Sequence, residues 1–297
     1  MTKLYKNIAE KPYLLMDRGL RNVFLWLIFV CSCTSTHAQK DTDSLVFRGF
    51  LDYAIKEKIT EKETGYRIIS IAQFFLEKPY VASTLETDGP EHLQVNLREF
   101  DCTTFVETVL ALHNVLKETN PDFDTYKRML TSIRYRNGII IGYPSRLHYT
   151  TDWLLDNQRK GFITLVQPSC SSDTLNLNLN FMSTHPSYYP ALKNNPANIE
   201  EMSKIEASLS QQTLHYIPKE DLTGKSPDIH NGDMIAITTS IKGLDFSHLG
   251  FAFCNHDTIN LLHASSSSKK VIISIQSLKE YLSAIDKHTG IVIARPR

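Results

Sequence analysis

Three residues define the chemistry this chain could perform. Cys102 follows Phe100-Asp101 and precedes the apolar positions Phe105, Val106, Val109, Leu110, Leu112 and Leu116. Asp101 is a good helix N-cap, so the spacing predicts a helix of about four turns with Cys102 as its first residue. Unpaired N–H groups and the helix dipole at that position favour a thiolate, the nucleophilic form of the side chain. A cysteine there also reads as a small buried hydrophobe. His248 and His263 add a base. In His248-Leu249-Gly250-Phe251-Ala252-Phe253, strand alternation places His248, Gly250 and Ala252 on one face. A four-residue connection, Cys254-Asn255-His256-Asp257, would set Phe253 opposite Thr258 and His248 opposite His263. Their Cβ atoms would then lie about 4.5–5.5 Å apart. One imidazole would serve as base to Cys102 and the other would fix its tautomer and orientation. A zinc site on Cys102, His248 and His263 is the alternative use of the same groups. No Cys-x-x-Cys or His-Glu-x-x-His spacing accompanies it, and the reading calls for no metal and no cofactor.

Positioning these residues requires a helix and a sheet. Residues 44–79 have helical spacing, with Ile68, Ile69, Ile71, Ala72, Phe74 and Phe75 on the apolar side, and Lys78-Pro79-Tyr80 ends them. Towards the C-terminus, Asp233–Thr238, His248–Phe253, Thr258–His263, Val271–Ile275 and Ile291–Ala294 read as five short strands. A helix lies between the last two, opened by a capping box of Ser277 and Glu280. Helices first and sheet second give an α+β fold. Residues 120–230 are mixed and rich in Pro, Asn and Ser, and Leu175–Phe181 alternates like a strand.

An ordered set of motifs runs through the chain: Lys78-Pro79-Tyr80-Val81, Phe100-Asp101-Cys102-Thr103, Asn231-Gly232-Asp233, Ser247-His248-Leu249-Gly250-Phe251 and Leu262-His263-Ala264-Ser265. The set resembles the NlpC/p60 superfamily of papain-like cell-wall hydrolases. The middle segment, with Arg134-Tyr135-Arg136-Asn137-Gly138 and Ser145-Arg146-Leu147-His148-Tyr149 followed by Asp152-Trp153, is similar to its N-acetylmuramoyl-L-alanine amidase-like branch. The resemblance implies a papain-like fold, with the cysteine helix packed on a mainly antiparallel five-stranded sheet. It implies Cys102 as nucleophile, His248 as general base, His263 as the orienting residue and Tyr80 as a hydroxyl beside the oxyanion. The long segment between helix and sheet departs from the simpler endopeptidases, which cut the γ-D-glutamyl–diamino-acid bond. The bond implied here is the amide between N-acetylmuramic acid and L-alanine, in peptidoglycan or muropeptides. Stem-peptide endopeptidase and non-catalytic glycan-binding protein are the rival readings. Arg146, His148, Tyr149 and Trp153 would bind substrate, Arg146 by pairing a carboxylate; core packing and a surface ion pair are the plainer roles for the aromatics and the arginine.

The N-terminus reads as a targeting signal. Arg18 and Arg21 precede the apolar run Val23–Val30, and small residues lead to Ala38. Residues 1–38 are expected to be a signal peptide, with 1–15 a mis-called extension if Met16 is the start and Cys33 an alternative lipid anchor. Residues 39–297 would form one catalytic domain, periplasmic after export, with 120–230 as its insertion and no integral membrane segment. The 297 residues carry 32 basic and 32 acidic side chains, with no basic stripe for nucleic acid. Of the five cysteines, Cys170 and Cys254 could pair in an oxidising compartment and leave Cys102 free; the separation of their Cα atoms decides it.

Overall fold

In the computed structural model, residues 42–297 are described except 88, 170, 171, 223–225 and 227. The expected signal peptide, Cys33 and Cys170 lie outside the described residues. Leu45–Arg297 forms one compact unit, and its helices come first. Helix α1 (42–56) buries Phe47, Phe50 and Ala54, the i, i+3, i+7 stripe of an amphipathic helix. Helix α2 (Thr64–Gln73) buries Ile68, Ile69, Ile71 and Ala72. The helical stretch expected over 44–79 is therefore broken. Lys58 takes a left-handed φ of 50°, a short 3-10 turn follows at Ile59–Glu61, and Ile59 is buried by that turn. Gly65 then packs on the Asn231-Gly232 backbone, where a Cβ would lie 2.0 Å from the Asn231 carbonyl oxygen.

Helix α3 (Cys102–Val115) is buried continuously from Thr104 to Val115, as a central helix must be. Helix α4 (Phe123–Arg134) crosses it and α5 (Thr150–Arg159) follows. The middle segment then supplies β1 (Ile163–Leu165), β2 (Asp173–Leu175), α6 (Phe181–Thr184), α7 (Pro196–Leu209) and β3 (Leu214–Pro218). The C-terminal part holds β4 (Met234–Thr239), β5 (Phe246–Asn255), β6 (Thr258–Ser265), β7 (Lys270–Ser277), α8 (Leu278–Ser283) and β8 (His288–Pro296).

The strands make one eight-stranded sheet, in the order β2-β3-β8-β4-β5-β6-β7 with β1 also on β8, and every pairing is antiparallel. The five expected strands are β4–β8. The other three come from the middle segment, where β1 and β2 are only three residues long and carry too little alternation to be read. One sheet face, including Met234, Leu249, Phe251, Leu262 and Val292, packs with α1–α3. The opposite face, including Ile235, Ile237, Leu261 and Ile293, is covered by Leu278 and Leu282 of α8. The middle segment builds a third cluster from Tyr143, Tyr149, Leu179, Met182, Leu192, Met202 and Leu209. That cluster overrides the strand expected over Leu175–Phe181. The chain leaves the ladder after Leu175, Leu179 turns into the third cluster, and the Asn180 and Phe181 amides donate to the Gly243 carbonyl as α6 begins.

Candidate active site

Cys102 opens α3 as the sequence predicts. Asp101 accepts a hydrogen bond from the Thr104 amide at 2.8 Å, and the Thr104 hydroxyl accepts one from the Asp101 amide at 3.0 Å. This capping box fixes the turn that carries the thiol. Cys102 is a partly buried free thiol at the edge of a cavity of about 320 Å³. The cavity is walled by the Asp101–Thr103 turn, the Asp245–Leu249 segment entering β5, residues 146–150 and the loop around Glu86. His248 lines the same cavity.

His248 and His263 are brought together, by a register two residues from the expected one. The β5–β6 ladder runs from Asn255↔Thr258 to Phe251↔Leu262, so the turn has two residues, His256-Asp257, with His256 at φ 52°. Continuing that register sets Gly250 beside His263, and a Cβ at Gly250 would lie 2.9 Å from the His263 Cβ. The histidines are thus diagonal neighbours. A shift of two preserves the face, so the rings still meet: His248 Nε2 lies 2.5 Å from His263 Nδ1. Those two nitrogens are spent on each other, which opposes a joint metal site. Among the described residues no three His, Cys, Asp or Glu side chains converge for an ion.

Electrostatics corrects one expectation. Burial first, then the Asp101 carboxylate, pushes the Cys102 thiol up to about 12, against the backbone of Leu249 and the Thr103 hydroxyl, which pull it down. The helix N-terminus does not win, and the resting group is a thiol. Burial, with repulsion from His263 and His288, holds His248 well below the ordinary histidine range. Burial alone takes His263 to about 4. Thiol and both imidazoles are neutral together near pH 7.

Tyr80 is tied beside this turn: its amide donates to the Lys269 carbonyl and the Val81 amide donates to the Phe100 carbonyl. Burial, then Cys102 and Asp101, raises its phenol to about 12, so it remains a hydroxyl donor.

The expected substrate-binding residues divide. Trp153 is 2% exposed, belongs to the main core cluster and is not part of the cavity lining, so its role as a binding aromatic is corrected to core packing. Tyr149 lines the cavity, but its hydroxyl donates to Glu206 at 2.6 Å. His148 lines it with its Nε2 on the Tyr143 carbonyl at 2.9 Å. Arg146 also lines it, yet is 5% exposed and already holds Glu86 at 2.8 Å and Glu91 at 3.3 Å. Its charge is spent within the protein. Cys254 is a free thiol, and Cys170, with which it could pair, lies outside the described residues.

Sequence reasoning missed two groups. Glu107 lines the cavity and pairs with Arg134 at 2.7 Å, both side chains almost wholly buried. A lone acid in the apolar run of α3 was the available signal. Tyr281 of α8 lies against both histidines, T-shaped to His263 at 5.3 Å and tilted to His248 at 6.1 Å. His288 stacks on it at 5.8 Å. Nothing local in the sequence marks it.

Residues 70–291 match a family described as AmiA-like, N-acetylmuramoyl-L-alanine amidase-like. A solved Bacteroides uniformis structure named as an N-acetylmuramoyl-L-alanine amidase is 43% identical, with a TM-score of 0.76, over 80% of this chain and 100% of that one. A Bacteroides fragilis protein described as a candidate xylanase is 42% identical, with a TM-score of 0.72, over 76% of this chain and 99% of that one. A Legionella pneumophila protein at 23% identity and a TM-score of 0.61, covering 88% of this chain and 96% of that one, shares the fold. A search of curated proteins finds no match.

Proposed function

The chain belongs to the AmiA-like, N-acetylmuramoyl-L-alanine amidase-like family, and from that premise we propose that it is an exported cysteine amidase of the papain-like NlpC/p60 type. Its bond is the amide joining the lactyl group of N-acetylmuramic acid to L-alanine. The observation that carries the reading is the helix-terminal Cys102 opening on the same cavity as His248, itself bonded to His263.

The mechanism follows from the free atoms. His248 Nε2 is occupied by His263, so Nδ1 is the nitrogen left to take the thiol proton. The sulfur attacks the lactyl carbonyl carbon as the proton moves, since the resting pair is neutral. The Cys102 amide and the Tyr80 hydroxyl donate to the developing oxyanion. Collapse breaks the C–N bond, and His248 returns the proton to the alanine nitrogen. Water, deprotonated by His248, then cleaves the thioester to the muramic carboxylate and the free thiol.

The lining favours the sugar over the peptide as occupant. Of the acidic lining residues, Glu107 is neutralised by Arg134 and Glu86 by Arg146, which leaves Asp101 and Asp245 without a basic partner in the lining. A free peptide carboxylate is repelled there, whereas sugar hydroxyls and an acetamido N–H find acceptors.

The test uses wild type and Cys102→Ala with a purified disaccharide-tetrapeptide, analysed by mass spectrometry. Wild type alone should release the intact tetrapeptide from an intact disaccharide. A cut within the peptide would replace the bond with that of an endopeptidase. A cut between the sugars, or full turnover by Cys102→Ala, would overturn the proposal.

A further inference from the structure

We propose that Tyr281 is a positioning residue for the histidine pair: its ring holds His263 in the tautomer that accepts a hydrogen bond from His248. The catalytic consequence rests on the cysteine–histidine reading above, while the tautomer itself does not. A base with its Nε2 on His263 must present a bare Nδ1 to the thiol, so its own hydrogen sits on Nε2 and is donated to His263 Nδ1. His263 then carries its hydrogen on Nε2. The reverse arrangement, with His263 Nδ1–H donating to His248 Nε2, places a hydrogen on His248 Nδ1 and leaves no base.

The active tautomer has an apparent defect. His263 is 1% exposed, and its Nε2 has no hydrogen-bond partner among the described residues. No ordinary acceptor therefore selects Nε2–H over the bare nitrogen. The Tyr281 ring is the group in place to do so. It stands 80° to the His263 ring with centroids 5.3 Å apart, a T-shaped pair; we assign the edge to the Nε2 side of His263, meeting the negative π face of Tyr281. An N–H edge is attracted to that face and a nitrogen lone pair is repelled by it. Tyr281 is held for this task. Its neighbours Leu278 and Leu282 are buried, α8 is fixed by the Ser277–Glu280 capping box, and His288 stacks on Tyr281 at 5.8 Å and 26°. Orienting a ligand or base through such an outer contact is the same device that fixes metal-bound histidines.

The test compares Tyr281→Phe, which keeps the π face, with Tyr281→Leu, which removes it. The tautomer is read by nitrogen NMR of histidine-labelled full-length protein carrying Cys102→Ala, and kcat and KM are measured with the cysteine present. The parent and the phenylalanine variant should show His263 protonated on Nε2, with kcat within about twofold of each other. The leucine variant should lose that single tautomer and lose kcat by about tenfold or more at near-constant KM. His263 protonated on Nδ1 in the parent would overturn the proposal without any variant. So would an Nε2–H signal that survives in the leucine variant, or a phenylalanine variant as impaired as leucine. If turnover proves independent of Cys102, the functional reading fails, and the NMR result still decides the role of Tyr281.

Discussion

Asp101 acts on Cys102 in two opposing ways. Its side chain caps the helix whose terminal N–H groups favour a thiolate, while its charge, second to burial, drives the thiol up. Asp101→Asn keeps an acceptor for the Thr104 amide and removes the charge. The thiol pKa should fall, and iodoacetamide should alkylate Cys102 faster at pH 8, by a few-fold to about tenfold. An unchanged rate would show that burial alone sets the thiol. In the wild type the alkylation rate should climb steadily from pH 6 to 9, because thiol and imidazole are both neutral at rest. A plateau extending down to pH 5 would instead reveal a preformed thiolate–imidazolium pair. That Cys102 opens a helix and that His248 meets His263 is legible from residue type and spacing. Their protonation is not, because a helix terminus is visible in sequence and the depth of burial around it is not.

The β5–β6 hairpin positions both histidines, and Gly250 is the element's tightest point. Gly250→Ala sets a Cβ 2.9 Å from the His263 Cβ and 2.8 Å from a Leu261 methyl. It should cut kcat about tenfold or more, with a folded protein by circular dichroism; wild-type kcat would mean that the pair tolerates a shift of His263. The sequence reading starts the turn two residues early, at Cys254 instead of His256, yet keeps the histidines on one face because strand periodicity is two. It places the starts of α3 and α8 well, since both carry capping boxes written in local sequence. It misses β1–β3 and the third core, which form from scattered residues only when the chain folds. Helices α3 and α4 are joined by the buried Glu107–Arg134 pair. Glu107→Ala strands a buried guanidinium and should cost about 3–5 kcal/mol by urea denaturation. A loss below about 1 kcal/mol, typical of exposed pairs such as Lys204–Glu200, would contradict that burial.

At the scale of the whole molecule, neutral buried histidines tie stability to pH. His113 and His263 each fall from 6.5 to about 4, chiefly through burial. Above pH 6.5 neither state binds their protons. Between 6.5 and 4 the unfolded chain takes protons that the folded one refuses, so stability falls with pH across that window. The loss is up to about 3 kcal/mol for each residue. A urea midpoint unchanged between pH 7 and 4.5 would refute this. The same burial keeps His248 unprotonated, and so able to act as a base, in mildly acidic surroundings. The central claim is that Cys102 carries the acyl half of the muramic–alanine amide, and the acyl-enzyme tests it most directly. Wild-type protein is acid-quenched during turnover of the disaccharide-tetrapeptide, weighed intact and mapped by peptide. The account predicts a thioester on Cys102 whose added mass is that of the disaccharide-lactyl acyl group. A peptidyl adduct on Cys102, or turnover that continues in Cys102→Ala with no adduct in the wild type, would contradict it.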